Sequence, residues 1–120
     1  MEKKTLVIGA SEKPERYAFK AITKLRSHGH PVEALALKPG KVGDVEFITK
    51  QTPLDNIDTV TLYVGPRNQP AYYDYVKSLS PRRVLFNPGT ENSEFRELLK
   101  NEGIEVMEAC TLVLLSTNQY

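Results

Sequence analysis

Thr5-Leu6-Val7-Ile8-Gly9-Ala10-Ser11 is the stretch on which the reading of this chain turns. An apolar and β-branched run this short fits a strand buried on both faces, as at the centre of a parallel sheet. The glycine and the small residues after it allow a sharp turn and close approach of a ligand phosphate. An amphipathic helix pattern begins a few residues later. Strand, small-residue turn and helix together direct backbone N–H groups and a helix N-terminus at an anion. The stretch therefore predicts a seat for a nucleotide-type diphosphate.

Working outward, Pro14 suits the first turn of the next helix, where its missing N–H is not needed. Tyr17, Ala18, Ala21, Ile22 and Leu25 recur at helical spacing, and Gly29 with Pro31 ends the pattern. Residues 32–37 read as the second strand and residues 38–41 as the loop at its end. Residues 45–48 suit a short edge strand, and residues 59–64 a strong, β-branched one. A helix is expected over about residues 69–78, with Tyr72, Tyr73, Val76 and Leu79 facing the sheet. Residues 83–86 form the next strand. A helix bearing Phe95, Leu98 and Leu99 follows, then a strand over residues 104–107. The apolar residues 111–115 fit a turn of helix, a strand or an oligomer contact.

Strands alternating with helices through short loops imply right-handed βαβ crossovers. The expected fold class is α/β: a Rossmann-like, doubly wound, mostly parallel sheet of about five strands with helices on both faces. Residues 1–120 are expected to form one domain. Ligands bind such sheets at the C-terminal ends of the strands. The loops there are residues 9–13, 38–41, 64–67, 87–90 and 108–110.

Composition narrows the function classes. Among 120 residues, 40% are hydrophobic, and 16 basic residues nearly balance 15 acidic ones, leaving a formal charge of +1. That balance gives no global field toward nucleic acid or an anionic membrane. No apolar stretch is long enough to span a bilayer. Residues 5–10 are too short for a secretory signal and are followed at once by Glu12 and Lys13. The single cysteine, Cys110, forms no intrachain disulfide, which fits a cytoplasmic setting; it reads as a small buried residue.

The loops differ in the chemistry they can carry. Gly9 is not followed by the further glycines of G-x-G-x-x-G, and Lys38 stands where a ribose-binding acid belongs. A lysine prefers a phosphate to a bare diol, so NADP fits better than NAD. Gly9-Ala10-Ser11 lacks the second glycine of a nucleophile elbow. His28 and His30 lie at the far end of the first helix, beyond reach of Ser11. They form a weak H-x-H metal signal that no nearby cysteine completes. Arg82 and Arg83 read as solvated residues at a strand start, and Tyr72, Tyr73 and Tyr75 as a packing face. No acid–base couple is forced together. What remains is a cleft with phosphate-binding parts and no catalytic machinery.

The run from Val7 to Tyr17 (VIGASEKPERY) resembles the opening of stand-alone CoA-binding domain proteins, whose fold is similar to the CoA-binding domain of the succinyl-CoA synthetase alpha subunit. Lys38-Pro39-Gly40-Lys41, Asn87-Pro88-Gly89 with Asn92, and Cys110 extend the resemblance along the chain. Two positions depart from the pattern: Lys38 replaces an asparagine, and Ala109 an arginine. The resemblance implies coenzyme A or an acyl-CoA as ligand. Gly9, Ala10, Ser11 and Lys13 would take the diphosphate, with Ser11 as a hydroxyl donor. Lys41, with Lys38 and Pro39 in the same loop, would face the ribose phosphate. Val64, Gly65 and Pro66 would lie along the pantetheine or nucleotide, and Asn87, Pro88 and Gly89 would complete the wall. The expected role is a non-catalytic module: a sensor, carrier or regulatory partner, with a homo-oligomer open. The alternative is an NAD(P)-binding regulatory or oxidoreductase-like protein.

Overall fold

The computed structural model describes residues 2–120. Seven strands form one sheet in the order β3-β4-β2-β1-β5-β6-β7. They are β1 (Thr5–Ile8), β2 (Val32–Leu35), β3 (Lys41–Val42), β4 (Val45–Ile48), β5 (Thr59–Leu62), β6 (Arg83–Phe86) and β7 (Glu105–Glu108). Every pairing is parallel except the β3–β4 hairpin, in which Lys41 pairs with Glu46 and Val42 with Val45. The expected count of about five strands is thus corrected to seven, and the Rossmann-like class holds. The two-residue β3 has too little periodicity to register in sequence, and Gly43 at φ +58 lets the chain reverse between β3 and β4.

The helices are α1 (Tyr17–Ser27), α2 (Tyr73–Leu79), α3 (Ser93–Asn101) and α4 (Thr111–Ser116). Residues 111–115, open in sequence, are therefore helical. Side-chain alternation along β1 assigns the two faces. Leu6 and Ile8 pack with Tyr75 and Val76 of α2 and Phe95 and Leu99 of α3. Val7 packs with Ala18, Ile22 and Leu25 of α1 and Leu114 and Leu115 of α4. Phe86 meets Phe95 edge-on at 5.8 Å. Burying each such ring contributes roughly 1.5–3 kcal/mol.

The helix expected over residues 69–78 is shorter. Pro66 and Pro70 each open a 3-10 turn, at Pro66–Asn68 and Pro70–Tyr72, and α2 starts only at Tyr73. A proline ring clashes with the preceding turn, so the chain cannot run through Pro70 as α-helix. Similarly, Pro14 precedes α1 in a turn closed by Arg16 N–H on the Lys13 carbonyl.

A polar thread runs through the α1/α4 side. Arg83, expected in solvent, is 4% exposed; its Nε donates to Thr59 Oγ1 at 2.9 Å and its guanidinium lies 4.5 Å from the Tyr120 ring centroid. Strand alternation places Arg83 on the α4 side, where Tyr120 closes over it. Arg82 points outward, as expected, and pairs with Asp58 at 3.1 Å.

His30 is buried beneath Tyr120, and its Nδ1 accepts the Lys3 N–H at 2.9 Å. Burial first, then the charges of Lys3, His28 and Arg83, holds its pKa below the ordinary value. The folded protein therefore binds fewer protons than the unfolded chain below about pH 6.5. This contribution is fully present above that pH and is lost as pH falls toward the folded value. The unfolding midpoint is expected to drop from pH 7 to pH 5 (about the range over which this histidine titrates), and more steeply for wild type than for His30→Gln. Equal drops would assign the pH dependence to other groups.

Candidate functional site

The sheet switches direction between β1 and β5. From β1 the chain moves through β2 to β4, then crosses back to β5, β6 and β7. Loops leaving the two halves diverge there and leave a crevice at the strands' C-terminal ends. The crevice is a cleft of about 1050 Å³, at the large end of the range for small-molecule sites, roughly 300–1,000 Å³.

The turn after β1 forms one wall. Gly9 has φ +92, and a Cβ there would lie 2.9 Å from the Tyr63 carbonyl oxygen and from Val64 Cγ2. Only glycine gives this conformation without a clash. The N–H groups of Gly9 and Ala10 both donate to the Leu35 carbonyl at 3.0 Å, so this part of the turn is committed to β2. The available donors lie further on. The N–H groups of Ser11 and Glu12 have no partner among the described residues. Ser11 Oγ accepts from Lys13 N–H at 3.1 Å, leaving its own proton free to donate.

α1 opens on Arg16 with no side-chain cap. Its first-turn N–H groups therefore lack intrahelical partners, and the positive end of the helix dipole borders the cleft at Arg16, Tyr17 and Ala18. Lys13, Arg16 and Lys38 are exposed on the cleft wall. The single carboxylate there, Glu12, accepts from Lys41 N–H at 2.8 Å. It fits because residue 40 is glycine: a Cβ would lie 2.6 Å from Glu12 Cδ. Glu12 thereby clips the β2–β3 loop to the first turn.

The far wall comes from the ends of β5 and β6. Val64, Gly65, Pro88, Gly89 and Thr90 line it, with Asn68, Ala71 and Tyr72 from the 3-10 turns. Tyr63 also borders the cleft, while its hydroxyl is buried and makes no hydrogen bond. Burial pushes the Tyr63 phenol up to about 12, with the Thr111 and Thr61 hydroxyls nearby pulling the other way. Leu37 and Tyr17, 90% and 65% exposed, also border the cleft and present apolar surface to solvent. The arrangement suits a ligand with phosphates at one end and an apolar or planar portion at the other.

Of the positions nominated from sequence, Gly9, Ala10, Ser11, Lys13, Lys38, Pro39, Val64, Gly65, Pro88 and Gly89 come together on this cleft. Lys41, Pro66 and Asn87 do not line it. Lys41 begins β3 and Pro66 opens the 3-10 turn beyond the wall. Asn87 is 2% exposed and turned into the fold; its Nδ2 donates to Thr61 Oγ1 and the Leu62 carbonyl, and its Oδ1 accepts from Thr111 N–H. It lies on the same face of β6 as Arg83 and Leu85, under α4. Cys110, expected to be buried, is half-buried at the start of α4.

Within the loops it indicated, sequence reasoning did not single out Glu12 and Thr90, and it missed Arg16, Tyr17, Leu37, Asn68, Ala71 and Tyr72. Tyr17 fell on the apolar stripe of α1, but as the first helical residue it borders the cleft and is 65% exposed, whereas Ala18 beside it is already buried. Pro66 and Pro70 carried the signal for Asn68, Ala71 and Tyr72, because closely spaced prolines argue against continuous helix. Among the described residues, the cleft wall carries no histidine or cysteine beside Ser11, no group of three His, Cys, Asp or Glu is placed to hold a metal, and no helix is long and apolar enough to cross a membrane.

A doubly wound sheet with a basic cleft at its switch point places the chain in the Rossmann-like α/β class. Residues 3–116 match the model of a family described as a CoA binding domain. The chain belongs to this CoA binding domain family. A crystal structure of an uncharacterized protein is 45% identical, over 100% of this chain and 99% of the other, with a TM-score of 0.97. A hypothetical protein from Pyrococcus horikoshii OT3 is 25% identical over 97% of this chain and 83% of its own, with a TM-score of 0.87. The protein cell-free ID.343 from Thermus thermophilus shares the fold at 23% identity, over 99% and 91% of the two chains, with a TM-score of 0.86. No curated protein sequence matches the chain.

Proposed function

We propose that the protein binds coenzyme A or an acyl-CoA in this cleft without transforming it, as a sensor, carrier or regulatory module in the cytoplasm. The observation that carries the reading is the convergence of the uncapped α1 N-terminus with Lys13, Arg16 and Lys38. Paired donors and cations favour a polyphosphate, and membership of the CoA binding domain family supports CoA as its source. Ser11 and Glu12 N–H groups and the first turn of α1 receive the diphosphate. Lys38 faces the ribose phosphate. Tyr17, Leu37 and the β5–β6 wall cover the planar and apolar parts.

Thermal unfolding and calorimetric titration with CoA, acetyl-CoA, dephospho-CoA and NADP test this. CoA at a hundred times its Kd is expected to add about 2.7 kcal/mol to stability. Lys38→Ala is expected to weaken CoA about fivefold, and dephospho-CoA less, because an exposed charge pair contributes about 1 kcal/mol or less. Equal losses for both ligands would remove the ribose phosphate from Lys38. A midpoint raised by NADP and unmoved by CoA would replace the reading with the NAD(P) alternative, which Lys38 at the end of β2 favours over plain NAD.

A further inference from the structure

Gln69 lies between the two 3-10 turns and is fully buried, away from the cleft surface. A buried amide at a turn needs a reason, because its desolvation is unfavourable unless every polar atom is paired. Here every one is. Its Nε2 donates to the Val64 carbonyl at 2.9 Å and to the Thr90 carbonyl at 2.7 Å. Its Oε1 accepts from Asn92 Nδ2 at 3.0 Å. The orientation is forced, since the reverse would set Oε1 against two carbonyl oxygens. Asn92 in turn caps α3 by accepting from Phe95 N–H and donates to the Tyr73 hydroxyl.

Val64 and Thr90 both line the cleft and are carried by different strand ends, which the sheet ladder leaves unpaired beyond Leu62 and Phe86. Nothing in the register of β5 and β6 fixes the distance between those loops; the Gln69 amide spans it. We propose that Gln69 is a positioning residue: it holds the Val64 and Thr90 loops at the spacing the ligand requires, so that the far wall is set before binding. Pre-organised walls raise affinity because less ordering remains to be done on binding. For the identity of the ligand the proposal rests on the CoA reading.

The test compares wild type with Gln69→Met, which keeps length and bulk and removes the amide. Hydrogen exchange of the unliganded proteins needs no ligand. The Asn68 and Thr90 amides, which donate to Gly65 and Asn87 carbonyls, are expected to exchange at least about tenfold faster in the variant, while β1 amides stay protected. Titration with CoA well below the unfolding midpoint is expected to give a Kd about tenfold or more weaker. A lower midpoint with unchanged Kd would mean that Gln69 supports the fold alone and would overturn the proposal, as would unchanged exchange at Asn68 and Thr90. If Gln69→Met does not fold, Asn92→Asp keeps the α3 cap and removes the donor to Gln69 Oε1; it is expected to shift both readouts in the same direction, and no shift in either overturns the proposal. If wild type binds no CoA, the CoA reading fails, and the exchange result alone decides whether Gln69 sets the wall.

Discussion

Gly9→Ala is expected to destabilise the protein by about 2–6 kcal/mol, and to weaken ligand binding in whatever fraction stays folded. Two effects add. A side chain at φ +92 costs roughly 1–3 kcal/mol in backbone strain. The new Cβ would also lie 2.9 Å from the Tyr63 carbonyl oxygen and Val64 Cγ2, where real Cβ atoms are not found. Forcing such a contact costs roughly another 1–3 kcal/mol. The backbone of β5 cannot yield without disturbing its pairing with β1 and β6. Gly103→Ala is the control, because Gly103 has φ +77 with nothing within 4 Å of an added Cβ. Thermal unfolding should place Gly9→Ala well below Gly103→Ala, by roughly 5 °C or more. Equal midpoints would mean that the close approach of β1 and β5 has slack that the geometry denies.

Asn87→Ala is expected to lower stability by about 3 kcal/mol. The amide is 2% exposed and joins β5, β6 and α4 through Thr61 Oγ1 at 2.6 Å, the Leu62 carbonyl at 2.9 Å and Thr111 N–H at 2.9 Å. Truncation leaves the Leu62 carbonyl and Thr111 N–H buried without that partner, and each unsatisfied group costs about 1–3 kcal/mol. Asn87→Asp keeps the acceptor for Thr111 N–H but places a carboxylate against the Leu62 carbonyl; it should destabilise at least as much at neutral pH and recover in part on acidification. Denaturant unfolding measures both. An Asn87→Ala protein of unchanged stability with weakened CoA binding would return this residue to the ligand, where the sequence motif had put it.

That contrast shows what is legible in a motif. Asn87-Pro88-Gly89 marks a conspicuous loop at a strand end, but a motif does not say which way its first side chain turns. Alternation along β6 sends residues 83, 85 and 87 to the α4 side, and α4 lies over Asn87 only because the chain returns after β7. Gln69 carried still less signal, since a lone glutamine between two prolines looks like surface. Its importance comes from two carbonyls, Val64 and Thr90, that are 26 residues apart in sequence yet meet one amide.

The sequence by itself determined the class of the fold and the edge of the sheet where the cleft opens. Buried β-branched runs alternating with amphipathic helices leave a doubly wound parallel sheet as the arrangement that covers both faces, and residues 5–11 mark its central strand and first turn. Only the tertiary structure decided which groups in those loops are free. The Gly9 and Ala10 N–H groups, nominated for phosphate, are taken by the Leu35 carbonyl, whereas Ser11, Glu12 and the uncapped start of α1 are open. The physical reason is that a backbone donor serves whichever acceptor lies nearest in space. For this turn that acceptor is set by the parallel pairing of β1 with β2, a contact between segments that local sequence does not bring together.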